Sequence, residues 1–158
     1  MYILMIDYTQ KAVTTYNNGF HCSQAVLSAF SGKFGMDEQT ALKLGGCFGG
    51  GMCCGEVCGA VTGALMVLGL QYGHSDAQDV QAKTLTNAKT MEFINAFKTE
   101  NGSILCRDLL GYDVSVPEDL AVIREKKLFS QFCPKMVESA ARILEKMLAE
   151  VKPGDLDL

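Results

Sequence analysis

Cysteine is the reactive residue type that stands out in this sequence. The 158-residue chain contains seven cysteines, which is well above ordinary usage and an odd number. The thiolate form of cysteine attacks disulfides and binds metal ions. A small secreted protein stapled by disulfides would have a higher density of cysteines than this chain. We therefore predict reduced thiols in a reducing compartment, and a cytoplasmic protein.

Four of the cysteines fall at predicted helix starts. Cys22, Cys58, Cys106 and Cys133 each lie within the first turn or so of a helix, with Cys133 at the N-cap. The positive end of the helix dipole and the free backbone N–H groups stabilise a thiolate. Three of the four lie on helix faces whose other members are apolar, so they point inward. We expect the four sulfurs to converge, and a disulfide or a metal ion to relieve the repulsion between their thiolates.

The other three cysteines lie in the glycine-rich stretch GGCFGGGMCCG, residues 45–55. Six glycines in such a short stretch predict a tight loop that lets other groups approach closely. No strand precedes it and no Gly-Lys-Ser/Thr follows, so it is not predicted to bind nucleotides. Cys54 stands four positions before Cys58, a wider spacing than a thioredoxin-type pair has. In a dithiol mechanism Cys58 would attack and Cys54 would resolve.

The elements that must position these cysteines are helices. Apolar residues recur at helical spacing along the chain, whereas strand-type alternation is nearly absent. We predict an all-α fold, a compact helical bundle of about six to eight helices, as a single domain over residues 1–151. Residues 152–158 are predicted to form a flexible C-terminal tail. The central helix is expected at about 56–70, where Gly59/Gly63 and Ala60/Ala64 let neighbouring backbones come close.

Start and stop signals predict the remaining helices. The first should run from about Ile6 to Asn17, the second from His21, and the third from Asp37 to Gly45. Ser75 or Asp76 is expected to cap a long helix that reaches about residue 98. Its inner stripe is predicted to be Val80, Leu85, Ala88, Met91 and Ile94. A short helix within 103–111, one beginning at Pro117 and a last one from Cys133 complete the bundle, and the last should bury Phe132, Met136, Ala140, Ile143 and Met147.

Charge and apolar content exclude some partners and favour others. The net charge of -4 gives no basic surface for nucleic acid. The longest apolar run, Val57 to Leu70, is about 14 residues, shorter than the roughly 20 that cross a bilayer, so we expect no membrane insertion. The N-terminal MYILMI lacks the features of a secretory signal and is interpreted as mature sequence. The central helix is apolar on more faces than a small bundle covers, which predicts a homo-oligomer, such as a homodimer.

Taken in order, the cysteine blocks resemble a known family. One early cysteine (Cys22), the run CGAVTG at 58–63, and two later separated cysteines (Cys106 and Cys133) are similar to the pattern of the redox family named C_GCAxxG_C_C. The resemblance extends over about residues 8–150 and includes the stretches CRDLLG and CPKMVESAARILE. It implies a helical fold, four family cysteines and an inferred redox activity, with selenocysteine in some relatives. Val57 stands where the family name has glycine, and Cys54 resembles an additional cysteine of a CGExCGA subgroup.

Three functions are compatible with these observations. The first is a thiol oxidoreductase that reacts with a redox partner protein or a small thiol, in which two cysteines cycle between dithiol and disulfide; the candidates are Cys54, Cys58, Cys22, Cys106 and Cys133. The second is an iron-sulfur or other metal-binding protein with Cys22, Cys58, Cys106 and Cys133 as thiolate ligands. The third is a non-enzymatic helical accessory protein with structural cysteines. The sequence leaves the cofactor open between none, an iron-sulfur cluster and another thiolate-bound metal.

Overall fold

The computed structural model of the protein describes residues 5–150. The predicted C-terminal tail lies outside these residues. Within them the chain forms nine α-helices and no β-strand, which confirms the all-α fold. The helices are α1 (Tyr8–Asn17), α2 (Cys22–Ser31), α3 (Glu38–Gly45), α4 (Gly59–Tyr72), α5 (Val80–Asn101), α6 (Cys106–Leu110), α7 (Pro117–Glu125), α8 (Leu128–Gln131) and α9 (Cys133–Ala149). The count exceeds the predicted range because the four-residue α8 precedes α9.

Aspartates begin three of the helices. The side chain of Asp7 accepts a hydrogen bond from the Gln10 backbone N–H at the start of α1, and Asp37 does the same for α3. α5 is capped by Asp79, so the prediction of Ser75 or Asp76 was wrong. The Asp76 carboxylate instead accepts from the backbone N–H of Gln78, which holds this segment in a turn, so the helix begins only at Val80.

Helices α2 and α4 share the centre of the bundle. α2 packs against α1, α3, α4 and α9, and α4 packs against α2, α5 and α9. The two central helices approach closely at Gly63, where an added Cβ would lie 2.8 Å from the carbonyl oxygen of Ser23. The predicted role of the small residues in α4 is therefore confirmed, with α2 as the neighbour.

The outer helices differ in how well their buried faces were predicted. On α9 the predicted stripe is confirmed, with Met136 and its partners buried and Phe132 half-buried. On α5 the predicted stripe was wrong in part. Val80 and Met91 are exposed, although Leu85 of the same stripe is half-buried against the core. The face that the helix buries includes Phe93 and Phe97, whose large aromatic side chains are fully removed from solvent.

No helix within residues 5–150 combines the length and apolar character that crossing a bilayer requires.

Candidate functional site

The start of each of four helices carries a cysteine. Cys22, Cys106 and Cys133 are the first residues of α2, α6 and α9, and Cys58 is the N-cap of α4. The predicted N-cap position of Cys133 was wrong by one residue, because Phe132 occupies it. Pro134 fits the first turn of α9, where the backbone N–H that proline lacks has no helical acceptor.

A short backbone bridge brings the starts of α4 and α6 together. Val57 and Leu105 form an antiparallel β-bridge. The Cys58 N–H donates to the Ile104 carbonyl at 2.7 Å, and the Cys106 N–H donates to the Glu56 carbonyl at 2.6 Å. These two hydrogen bonds hold the backbones of both cysteines in adjacent segments, although the residues are far apart in sequence.

Gly59 brings the starts of α2 and α4 together. A Cβ added to Gly59 would lie 3.2 Å from the Cβ of Cys22 and 3.0 Å from the backbone nitrogen of Ser23. Such contacts are tighter than ordinary van der Waals packing, so glycine after Cys58 is what lets Cys22 lie beside it. Ser23 also joins the start of α2 to the end of α3, because its buried hydroxyl donates to the Gly45 carbonyl at 2.7 Å.

The side chain of Cys22 links the sulfurs of this group. It hydrogen-bonds to the side chains of Cys133 and Cys58, and these two bonds, followed by burial, raise the pKa of the Cys22 thiol well above its ordinary value. Cys22 is therefore the group that keeps its proton, and this single proton has two acceptors, the sulfurs of Cys58 and Cys133.

The other two sulfurs respond in the opposite direction. The hydrogen bond from Cys22 lowers the pKa of Cys58, helped by the backbone N–H groups of Ala60 and Val61 in the first turn of α4. The same donor, and then the Tyr16 hydroxyl, lower the pKa of Cys133, against the opposing effects of its burial and of the neighbouring Cys58. Both residues are thereby favoured as thiolates.

Cys106 is close to this network and differs from it electrostatically. Burial raises the pKa of Cys106 to about 12, and the charges of Cys58, Cys133 and Asp113 add to the effect. The Cys106 side chain is thus a neutral thiol around neutral pH, in a place where a further negative charge is unfavourable.

Tyr16 approaches the sulfurs from α1. Burial is the main cause that raises the pKa of its hydroxyl, followed by the charges of Cys22 and Cys133. Its single proton has two acceptors, the Cys133 sulfur and the backbone carbonyl of Phe129, which lies 2.6 Å from the hydroxyl oxygen. Tyr16 is a protonated donor that sequence reasoning missed, and no motif or spacing marked it.

The four helix-start cysteines line one cavity of about 600 Å³. Cys58, Cys106 and Cys133 are buried, whereas the same lining includes Phe20, Phe129 and other exposed residues, so the cavity reaches the surface. The structure thus brings together four of the five predicted site residues around a space that a ligand can enter.

The fifth, Cys54, is exposed and does not line the cavity, whereas its neighbour Cys53 does. Gly50, Gly51, Met52 and Cys53 all have positive φ, which winds this segment into a left-handed turn. An added Cβ at Gly51 would lie 2.4 Å from the Glu56 nitrogen, which confirms the predicted close-approach loop. The handedness of the turn decides which of the two adjacent sulfurs faces the cavity, and the sequence carries no signal for that choice.

Within the part of the chain that the structure describes, no three or more His, Cys, Asp or Glu side chains are arranged to hold a metal ion. A metal site at Cys22, Cys58, Cys106 and Cys133 therefore stays a prediction from the sequence.

The fold and the site define a class: an all-α protein in which cysteines at helix starts surround an accessible cavity. Residues 20–147 match the family model described as "Putative redox-active protein (C_GCAxxG_C_C)". The chain belongs to this family, and a redox role is consistent with its clustered thiols. No curated protein and no solved structure has a significant match to the chain.

Proposed function

We propose that this protein is a thiol oxidoreductase that exchanges a dithiol in its cavity with a disulfide substrate. The observation that carries the proposal is that Cys22, Cys58 and Cys133 line the same cavity, with the Cys22 thiol hydrogen-bonded to the other two sulfurs. Disulfide exchange needs an attacking thiolate, a second sulfur next to it and a place for a proton. These three sulfurs meet all three needs.

Cys58 is the attacking group. Its thiolate is stabilised by the Cys22 proton and by the first turn of α4. It attacks one sulfur of the substrate disulfide, forms a mixed disulfide and expels the other half of the substrate as a thiolate. No net oxidation of protein plus substrate occurs in this step, because one S–S bond replaces another.

Cys22 resolves the mixed disulfide. Once Cys58 is covalently bound, the Cys22 proton passes to its other hydrogen-bond partner, the Cys133 thiolate. The Cys22 thiolate then attacks the Cys58 sulfur and expels the second half of the substrate. The protein has lost two electrons and holds a Cys22–Cys58 disulfide, and the substrate has gained them as two thiolates, which take their protons from water. This assignment differs from the sequence-based prediction that Cys54 resolves, because Cys54 does not line the cavity.

The partner that restores the dithiol would be a protein dithiol or a small thiol. This chemistry suits a reducing compartment, so the cytoplasm is the proposed location. Self-association stays a prediction from the apolar surface of α4, where Leu65 and Met66 are only half-buried and Leu70 is exposed.

The test is to treat fully reduced protein with a small disulfide under anaerobic conditions and to map the products by mass spectrometry. The wild-type protein should form a Cys22–Cys58 crosslink. Cys22→Ser should trap a mixed disulfide on Cys58, and Cys58→Ser should form no crosslink. Cys54→Ser is the matched control and should behave as the wild type.

The alternatives predict other results. Protein that is brown after anaerobic purification, with metal that Cys58→Ser loses and Cys54→Ser retains, would favour the iron-sulfur hypothesis. A crosslink between Cys54 and Cys58 would restore Cys54 as the resolving group. Thiol reactivity and metal content that are unchanged by Cys58→Ser would favour the accessory protein.

A further inference from the structure

The cavity around the cysteines has features that select a substrate. Resting on the thiol oxidoreductase function proposed above, we infer that the substrate is a low-molecular-weight disulfide with an apolar body and a carboxylate, which binds with its carboxylate at Arg124. The geometry points to this class through the burial of the sulfurs, the composition of the walls and the placement of a single charge.

Burial of the sulfurs favours a small substrate over a protein. The exposed fractions are 5% for Cys58 and 8% for both Cys106 and Cys133. A small disulfide can enter the cavity and approach these buried sulfurs more readily than a disulfide fixed in the surface of a folded protein. The volume of about 600 Å³ lies within the range of roughly 300–1,000 Å³ that is typical of small-molecule sites.

The walls favour an apolar body. Aromatic and aliphatic side chains make up most of the lining beyond the cysteines, including Phe20, Leu109, Leu110, Leu120, Phe129 and Phe132. Phe20 precedes α2, and the other residues come from α6, α7, α8 and the start of α9. A disulfide carried on short aliphatic or aromatic groups would bury its carbon atoms against these walls.

Arg124 favours an anionic group on the same molecule. It is the one permanently charged side chain among the described residues that line the cavity, and it is exposed on α7. Among residues 5–150 no carboxylate lies within ion-pair distance of it, whereas Arg107 and Arg142 are paired with Glu56 and Glu100.

The charge of Arg124 is not among the causes of the pKa shifts of the cysteines. Their pKa shifts come from burial, from one another, from Tyr16 and Asp113, and from backbone N–H groups. The guanidinium of Arg124 has a planar set of N–H donors without a carboxylate partner, and two of them can bind the two oxygens of a ligand carboxylate at the same time. Its charge is thus available to orient a ligand.

The experiment compares two small disulfides that differ in charge. Fully reduced protein is mixed with 3,3′-dithiodipropionic acid or with its uncharged diamide, quenched with acid, and assayed for the Cys22–Cys58 crosslink over time. Arg124→Gln should slow the reaction with the diacid about fivefold, the size of effect expected for one exposed ion pair. It should leave the reaction with the diamide within about twofold of the wild type.

Two further variants sharpen the result. Arg124→Lys keeps the charge and should recover much of the rate with the diacid. Lys83→Gln removes the same charge from an exposed position on α5 outside the cavity lining, and should change neither rate. Each variant is compared with the wild type on the same disulfide, so the intrinsic reactivities of the two reagents cancel.

Other outcomes would overturn the inference. Equal slowing of both disulfides by Arg124→Gln, or no slowing of either, would show that Arg124 does not recognise the carboxylate. Oxidation by a protein disulfide such as insulin, as fast as by the diacid, would exclude selection for small molecules. If no disulfide forms the crosslink in the wild-type protein, the proposed function itself fails, and the inference fails with it.

Discussion

Two regions of this molecule are rich in both cysteine and glycine, and they use these residues differently. One is the cysteine cluster, Cys22, Cys58, Cys106 and Cys133, together with Gly59 and Gly63 of α4. Its cysteines are buried or half-buried, three of them are joined by hydrogen bonds from Cys22, and its glycines let α2 and α4 approach each other. The other is the glycine-rich turn, residues 45–55. Its cysteines, Cys47, Cys53 and Cys54, are exposed, and several of its glycines supply positive φ.

The comparison shows that the local density of cysteine is a poor guide to which cysteines share a site. Of the three cysteines within eight positions of the turn, only Cys53 lines the cavity, whereas all four cysteines of the cluster, spread over more than a hundred positions, do so. Convergence of helix starts supplies both the N–H groups and the burial that move a thiol pKa.

The largest difference between the two regions should appear in their reaction with an alkylating reagent. We expect N-ethylmaleimide to modify Cys47, Cys53 and Cys54 at least about 100-fold faster than Cys106 at neutral pH, because Cys106 is buried and the thiolate is the reactive form. With its pKa raised to about 12, the labelling rate of Cys106 should rise about tenfold per pH unit between pH 7 and 9, since the thiolate fraction rises by that factor. Peptide mass spectrometry of timed samples would measure these rates, and rapid labelling of Cys106 at pH 7 would contradict the buried position.

The next effect concerns the glycines of α4. Gly63→Ala would place a Cβ 2.8 Å from the Ser23 carbonyl oxygen, so backbone must move, and we expect the free energy of unfolding to fall by about 1–3 kcal/mol. Gly69 is the matched control in the same helix, because an added Cβ meets nothing within 4 Å. Gly69→Ala should raise stability by up to about 1 kcal/mol through helix propensity. Urea denaturation of both variants would test the pair, and equal stabilities would show that α2 and α4 are not held by this contact.

A smaller effect tests the proton network. Tyr16→Phe removes a donor to the Cys133 sulfur and should raise the pKa of Cys133, because its thiolate loses one of the two hydrogen bonds that stabilise it. The thiolate population of Cys133 near neutral pH should fall accordingly. The pH dependence of Cys133 alkylation would measure this change. Tyr112→Phe is the control, since the Tyr112 hydroxyl accepts from Lys126 and should leave Cys133 unchanged; a shift of similar size in both variants would argue against a specific bond from Tyr16.

The smallest effect concerns the ion pair beside the β-bridge. Arg107 donates to the Glu56 carboxylate at 2.6 Å, and both side chains are partly exposed. Glu56→Gln should therefore lower the free energy of unfolding by less than about 1 kcal/mol, and less still at high salt. Glu100→Gln, which breaks the pair with Arg142, is a matched control. A loss above about 2 kcal/mol for Glu56→Gln alone would mean that the ion pair is needed to hold the starts of α4 and α6 together.

Much of the local structure is determined by the sequence itself. The periodicity of apolar residues, Asp7 and Asp37 as caps, Pro117 in the first turn of α7 and the glycines that stop helices all act within a few residues. These signals suffice to predict an all-α chain and to put four cysteines at or near helix starts. The ordered cysteine pattern likewise suffices to predict the family, which residues 20–147 match.

The tertiary structure decided which groups meet. Cys58 and Cys106 are brought together by a bridge between segments far apart in the chain, and Tyr16 and Arg124 reach the cavity from α1 and α7. The choice between Cys53 and Cys54 depends on the left-handed turn. Such contacts depend on how helices pack against one another, and the energy that selects one packing is spread over the whole core. No short stretch of sequence carries that information, so the sequence could predict that four cysteines lie at helix starts, but not which groups they meet.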